Sequence, residues 1–360
     1  MKKISLLVVI VIINMSTLLG QEKMDEIPLN ENTLIFSKST QYAFETIDGK
    51  NTLVLNGRAE VKNAFFSNGT ITVDVLANQK RSFAGITFRK QDDTFEEVYI
   101  RMHKSGEPDA LQYTPVFNNE SNWQLYPEYQ TVAITKNEGW NTLKIHVMDN
   151  VAEIFVNGKS MLIVDDLKTD HKAGSIGLFA LFENRFANLK FSENKKVINA
   201  KKQDDKTIEG LITEWQLSDP KPYNEVDDFD KLLNVAHKKN VKTESNGLLL
   251  ISKYVVKPSR GMYERNSEDY VIVETSIDSN SEIIKSFSFD YSDKIIVYLN
   301  GELLYIGNNG FRFKNIQYKG HLKMDTNRIP LKLKKGKNLL QCIVVEKANG
   351  WGLMGRVTDL

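Results

Sequence analysis

The sequence predicts an all-β protein. Short alternating or β-branched runs recur along the chain, clusters of Gly, Asn and Asp separate them, and no segment of useful length before residue 195 has helical periodicity. The runs of the first half are 52–55, 70–76, 83–89, 97–103, 143–147, 152–156, 161–164, 175–181 and 187–191. Asn157-Gly158 inside an apolar run is a hairpin signal, because both residues readily take the positive φ angles of a type I′ turn. After the charged stretch 192–206, strand runs resume at 210–217, 247–254, 270–276, 286–291, 294–299 and 339–345, with a second hairpin at Asn300-Gly301. Residues 227–238, with acidic groups in the first turn, are the one helical expectation. The flanks of the two hairpins do not align, so two different β-sandwiches are expected rather than a duplication.

The chain begins with Lys2 and Lys3, then ten apolar or small residues from Ile4 to Ile13, then Gly20-Gln21. A charged start, a short apolar run and a small residue before a polar segment read as a cleavable signal peptide over 1–20. That run is shorter than the roughly 20 residues a bilayer span needs. The expected organisation is therefore a signal peptide 1–20, a sandwich 21–192, a linker 193–207 and a second sandwich 208–360, secreted or periplasmic. The formal charge of +1 for the whole chain disfavours nucleic acid or an anionic membrane surface as partner. The single Cys342 can form no intramolecular disulfide and sits in an apolar run, as a buried thiol does.

The richest stretch is 83–126. Within it Glu97-Val98-Tyr99-Ile100-Arg101-Met102-His103 alternates strictly, so a strand would turn Val98, Ile100 and Met102 one way and Glu97, Tyr99, Arg101 and His103 the other. A carboxylate, a phenol, a guanidinium and an imidazole on one face suit a carbohydrate. Sugars combine apolar C–H faces with rigid hydroxyl pairs, which aromatic rings and planar bidentate groups match. In that reading Glu97 and Arg101 bond hydroxyls and Tyr99 stacks, and Arg89 joins them from the preceding strand. The plainer alternative makes Glu97 and Arg101 ion-pair partners on a wet sheet. Gln112, Tyr113 and Gln124 add further ligand candidates. Trp123 and Tyr126 are either stacking platforms at the mouth of a cleft or caps over the core.

The order Phe83–Tyr126, Trp140 to Ile145, Phe155 to Gly158 and Gly174 to Leu178 resembles concanavalin A-like sandwiches, specifically laminin G-like and keto-sugar hydrolase-like modules of exported bacterial proteins. Tyr291 to Gly301, Leu333 to Asn338 and Asn349 to Arg356 resemble galactose-binding-like jelly rolls. The resemblance implies a glycan on the concave face of the first sandwich, and fold likeness of this kind does not transfer activity.

No catalytic residue is assigned. Glu96 and Glu97 are adjacent and face opposite ways, so the paired carboxylates of a glycosidase are missing from this strand. Glu97 and His103 share a face but lie ~20 Å apart at strand rise. His103, His146, His171, His237 and His321 have no metal-ligand spacing, so no metal or other cofactor is expected. A structural calcium ion at Asp165 or Asp166 is the one reservation. Trp351, between two glycines, is a core plug ahead of a sugar platform. The expectation is an exported carbohydrate-binding protein, with a glycan-degrading hydrolase or lyase on the same cleft, or a scaffold module, as alternatives.

Overall fold

The computed structural model describes residues 24–360 except 195, 201–206, 225–231, 234–236 and 259–266. The expected signal peptide, most of the expected helix 227–238 and the middle of the expected linker lie outside the described residues. Among the described residues no helix is long and apolar enough to cross a membrane.

Among the described residues the first half holds fourteen strands: β1 (Asp25–Glu26), β2 (Leu34–Phe36), β3 (Gln41–Ile47), β4 (Lys50–Val61), β5 (Gly69–Leu76), β6 (Phe83–Gln91), β7 (Thr94–Ile100), β8 (Leu111–Phe117), β9 (Glu120–Ser121), β10 (Gln130–Thr131), β11 (Trp140–Met148), β12 (Val151–Val156), β13 (Lys159–Val164) and β14 (Ser175–Glu193). Two long strands, β4 and β14, pair with each other and pass from one layer to the next. The first part of β14 pairs with β6 and the last part with β5, with an irregularity between Ala180 and Asn184. One layer therefore runs β2–β4–β14–β6–β7–β8–β10 and the other β4–β14–β5–β11–β12–β13. Bulges let a strand turn such a corner without losing its ladder. Val98, Ile86 and Leu178 from one layer meet Val73, Ile145 and Ile154 from the other in a single core. The all-β, jelly-roll sandwich expectation holds.

In the second half a sheet of Lys238–Lys242, Glu214–Ser218, Asp269–Ser279, Gly336–Glu346, Lys294–Leu299 and Glu302–Asn308 stands against a four-stranded sheet of Leu249–Leu250, Gly352–Asp359, Ile283–Ser292 and Asn327–Leu333. Val271, Phe287, Cys342 and Leu353 fill the space between them. Trp351 is buried there and its Nε1 donates to the carbonyl of Val344 at 3.2 Å, so it plugs the core. Both hairpins form as expected, with φ of 50° and 81° at Asn157-Gly158 and 52° and 82° at Asn300-Gly301.

Three expectations are corrected. The runs 175–181 and 187–191 are one strand, because the irregularity between Ala180 and Asn184 bends the ladder with β4 without ending it. The strand expected at 247–254 is two residues long, and a 3₁₀ turn at Ile251–Lys253 follows it. The alternation from Glu97 continues in the sequence to His103, but the strand stops at Ile100. Met102–Lys104 form a 3₁₀ turn that closes into a tight loop through Gly106 at φ 87°.

The two halves are also joined more firmly than a charged linker suggests. Leu248, Leu250, Leu322 and Met354 belong to the core of the first sandwich. Ser252 Oγ donates to Asn122 Oδ1 at 2.5 Å, and Asn118 Nδ2 donates to the carbonyl of Ser252 at 2.8 Å.

Candidate functional site

The face of the β7 layer that carries Glu97 and Tyr99 is turned away from the core of the sandwich, but Glu97, Tyr99 and Gln112 on it are themselves buried by their neighbours, which corrects the expectation that all of them meet a ligand. Pairing registers carry one cross-strand row over this face: Arg58 opposite Phe179, Phe179 opposite Gly85, Gly85 opposite Tyr99, Tyr99 opposite Gln112, and Gln112 opposite Gln130. Directly opposed residues share a face, so these side chains form a continuous strip. Gly85 makes the strip possible. A Cβ there would lie 2.5 Å from the carbonyl oxygen of Val98 and 2.9 Å from Tyr99 Cβ. The glycine lets the Tyr99 ring lean between Phe83 and Phe179, edge-on to both, at centroid distances of 5.4 and 6.3 Å.

An arginine closes each end of this aromatic row. Arg58 lies over the rings of Phe179 and Phe95, at 4.5 and 4.7 Å, and its Nη1 pairs with Glu97 at 2.5 Å. Arg101 lies over Phe83 at 4.9 Å, and its Nη1 pairs with Asp109 Oδ2 at 2.6 Å. The same oxygen receives Lys319 Nζ from the second sandwich at 2.9 Å. Burial works to raise the Asp109 pKa, but the hydrogen bond and charge of Lys319 together with the Arg101 guanidinium outweigh it and hold the carboxyl below its usual range. Both carboxylates are covered by their cations: the Glu97 side chain is 2% exposed, against 32% for Arg58.

His103 sits in the 3₁₀ turn, half-buried, beside Phe83. Its Nδ1 accepts from the backbone N–H of Ser82 at 3.3 Å. Burial lowers its pKa, and Arg101, Lys104 and Arg81 push it further the same way. The ring is therefore neutral at pH 7, with its proton on Nε2, where it donates rather than accepts.

Several sequence candidates lie elsewhere. Tyr113 points into the core, because it has the opposite strand parity to Gln112. Its hydroxyl donates to the buried Glu96 at 2.6 Å. Arg89 has a φ of 52° and is buried. Its Nε and Nη2 donate to the carbonyl of Ser67 at 2.9 and 2.7 Å. Gln112 is on the right face, but it accepts from the Tyr99 hydroxyl at 2.9 Å and donates to the carbonyl of Trp123 at 3.1 Å. Gln124 and Tyr126 are buried under the second sandwich. Gln124 Nε2 donates to the carbonyl of Lys319 at 2.5 Å and Tyr126 donates to Glu244. Trp123 donates from Nε1 to Asn349 at 3.0 Å and packs edge-on against Phe311 and His321. The expectation that these residues line an open cleft is corrected: the 111–131 segment is a joint between the sandwiches. Arg58, Phe83, Asp109, Phe179 and Lys319 replace them on the face. Phe83 and Asp109 lay within the stretch 83–126 but carried no pattern that marked them; the others sit far away in sequence, with no local signal.

A cleft of about 650 Å³ in the second sandwich is lined by Gln216, Asn240, Glu274 and their neighbours. Glu274 there is occupied by Lys238 at 2.7 Å and Gln341 at 3.0 Å. The chemistry-bearing groups converge on the β7 face instead. Asp165 accepts from Tyr129 and Asp166 pairs with Lys168. Among the described residues no group of three or more His, Cys, Asp or Glu is placed to hold a metal ion.

These sheets define an all-β sandwich protein with an arginine-bracketed aromatic face. Residues 46–192, less than half of the chain, match the family model described as a 3-keto-alpha-glucoside-1,2-lyase-like domain. No curated protein matches. Among solved structures the chain is similar to the carbohydrate binding module CBM66 of Bacillus subtilis (12% identity, 42% of this chain and 95% of that chain, TM-score 0.32). It is also similar to a putative glycosyl hydrolase of Parabacteroides distasonis (15% identity, 48% and 100%, TM-score 0.33) and to a galectin of Caenorhabditis elegans (13% identity, 46% and 99%, TM-score 0.28). At these values the fold assignment rests on the sheets themselves.

Proposed function

We propose that this is an exported carbohydrate-binding protein whose ligand lies on the outer face of the β7 layer. The observation that carries the reading is the pair of half-buried rings Phe83 and Phe179, held apart by the buried Tyr99, with Arg58 and Arg101 at the ends of the row. Pyranose C–H faces pack on aromatic surface, and each guanidinium, with only Nη1 given to its carboxylate among the described residues, has another nitrogen for sugar hydroxyls. The sandwich supplies a rigid floor, so little ordering cost falls on the protein. The export assignment is supported by the signal-like residues 1–20.

A second reading, cleavage of an oxidised glucoside on the same face, is favoured by the match over residues 46–192. His103 would then act as a hydrogen-bond donor through Nε2, since its Nδ1 lone pair is occupied.

A glycan array probed with residues 21–360, read beside reducing-sugar release, tests both. Arg101→Ala and Phe179→Ala are expected to weaken binding by ~1–3 kcal/mol, with Arg101→Lys also impaired because an ammonium lacks the planar fork. Wild-type binding by all three variants would remove the face from consideration. Turnover lost with binding retained would favour the second reading.

A further inference from the structure

We infer that the glycan is anionic, carrying carboxylate or sulfate groups, and that it extends from the β7 face into a neighbouring cleft at the bulge of β14; this rests on the glycan-binding reading. The cleft, about 470 Å³, is lined by Lys80, Arg81, Phe182, Glu183, Asn184 and Arg185, with the end of β5 behind them. That volume lies within the roughly 300–1,000 Å³ typical of small-ligand sites.

The cleft and the face are continuous. Leu181 pairs with Phe83 across β14 and β6, Asn184 Nδ2 donates to the carbonyl of Phe83 at 2.9 Å, and Arg81 immediately precedes the Ser82 that binds His103. At the bulge Phe182 adopts a φ of 63° and stays 42% exposed beside Leu181 at 44%. An aromatic residue in the left-handed region is costly, and turning an apolar ring to water adds to that cost, a combination that points to a binding role. The Arg81 guanidinium stands over the Phe182 ring at 5.6 Å.

The charge inventory decides the ligand class. Arg185 is neutralised by Glu183 at 2.8 Å and Glu45 at 3.5 Å. Lys80 and Arg81 are exposed, and neither has an ion-pair partner among the described residues. On the face, Arg58, Arg101 and Lys319 stand against only Glu97 and Asp109, and both carboxylates lie beneath their cations. Lys90 and Glu60 at the margin balance each other at 2.7 Å. On the face the negative charge is turned inward; in the cleft Glu183 and Glu45, 59% and 42% exposed, are engaged by Arg185, so the unpaired Lys80 and Arg81 leave an excess of positive charge beside aromatic surface. Such a surface attracts acidic chains and holds their planar anionic groups in charge-assisted pairs.

The test is calorimetric titration of residues 21–360 with polygalacturonate, with its neutral methyl ester, and with a sulfated galactan beside its unsulfated form. At least one charged polymer is expected to bind tenfold or more tighter than its neutral counterpart at low salt, with the advantage shrinking as salt rises. The polymer that does so identifies carboxylate or sulfate. Lys80→Gln with Arg81→Gln is expected to reduce that advantage at least fivefold without moving Tm. Equal or tighter binding of the neutral polymers overturns the anionic assignment and leaves glycan binding standing. An unaltered advantage in the double variant overturns the cleft. Binding of none of the four, together with a silent glycan array, overturns both readings.

Discussion

Arg101 and Lys319 meet on one carboxylate oxygen, Asp109 Oδ2, at 2.6 and 2.9 Å. The first comes from the end of β7 and the second from the loop between Glu302–Asn308 and Asn327–Leu333 of the second sandwich. The second half of the chain thus helps set the position of a guanidinium on the first half's candidate face.

Asp109→Asn should release both cations at once. Charge-assisted hydrogen bonds of this kind contribute about 1.5–3 kcal/mol, so the variant should melt earlier and bind glycan more weakly. The wild-type contribution is also pH-dependent. The folded pKa of Asp109 is depressed, so its stabilisation is complete above the ordinary carboxylate pKa and is lost as pH falls through the lower folded value. Equal melting temperatures for the wild type and the Asp109→Asn variant at pH 7 would show that the shared oxygen does nothing for stability.

His321 should give a second limb of the acid profile, at higher pH. It lies between the sandwiches, with Nε2 3.1 Å from Gln130 Nε2, and burial followed by the charges of Lys323 and Lys319 lowers its pKa to about 4. The unfolded chain takes up a proton near pH 6.5 that the folded chain refuses. Stability should therefore fall as pH drops from about 6.5 to 4, and His321→Gln should flatten that part of the curve in urea titrations. A slope that survives the substitution belongs to another group.

Strand parity can be tested by a pair of substitutions on neighbouring residues. Ile100 is 1% exposed in the core, so Ile100→Asp should cost several kcal/mol through an unpaired buried charge and unfold the sandwich. Arg101→Ala should fold. On the other strand, Gly85→Ala forces its Cβ against the Val98 carbonyl and should cost about 1–3 kcal/mol. Circular dichroism melts separate these cases, and a folded Ile100→Asp protein would reverse the assignment of faces.

We propose two modules with their boundary in 193–207, docked rather than loosely tethered. Cleavage within that segment should leave the halves together on gel filtration and melting in one transition, because Leu248, Leu250, Leu322 and Met354 complete the first core. Two independent transitions with separable fragments would mean that this apolar contact adds little.

Fold class, most strands, both Asn-Gly hairpins and the opposite facing of Glu97 and Tyr99 from Val98 and Ile100 were legible in the residues alone. These are local matters: a side-chain period of two and the positive φ of Asn-Gly are written into neighbouring residues. The continuation of that pattern to His103 misled, since alternation does not record where pairing ends. Which polar groups remain free depends on how the sheets and sandwiches come together. Tyr113, Gln124 and Tyr126 are satisfied inside the protein by Glu96, Lys319 and Glu244, while Arg58 and Phe179 reach the face from strands far away in sequence. Sheet register and the docking of one sandwich on the other are long-range contacts, and a buried polar side chain takes whatever partner those contacts bring within about 3 Å.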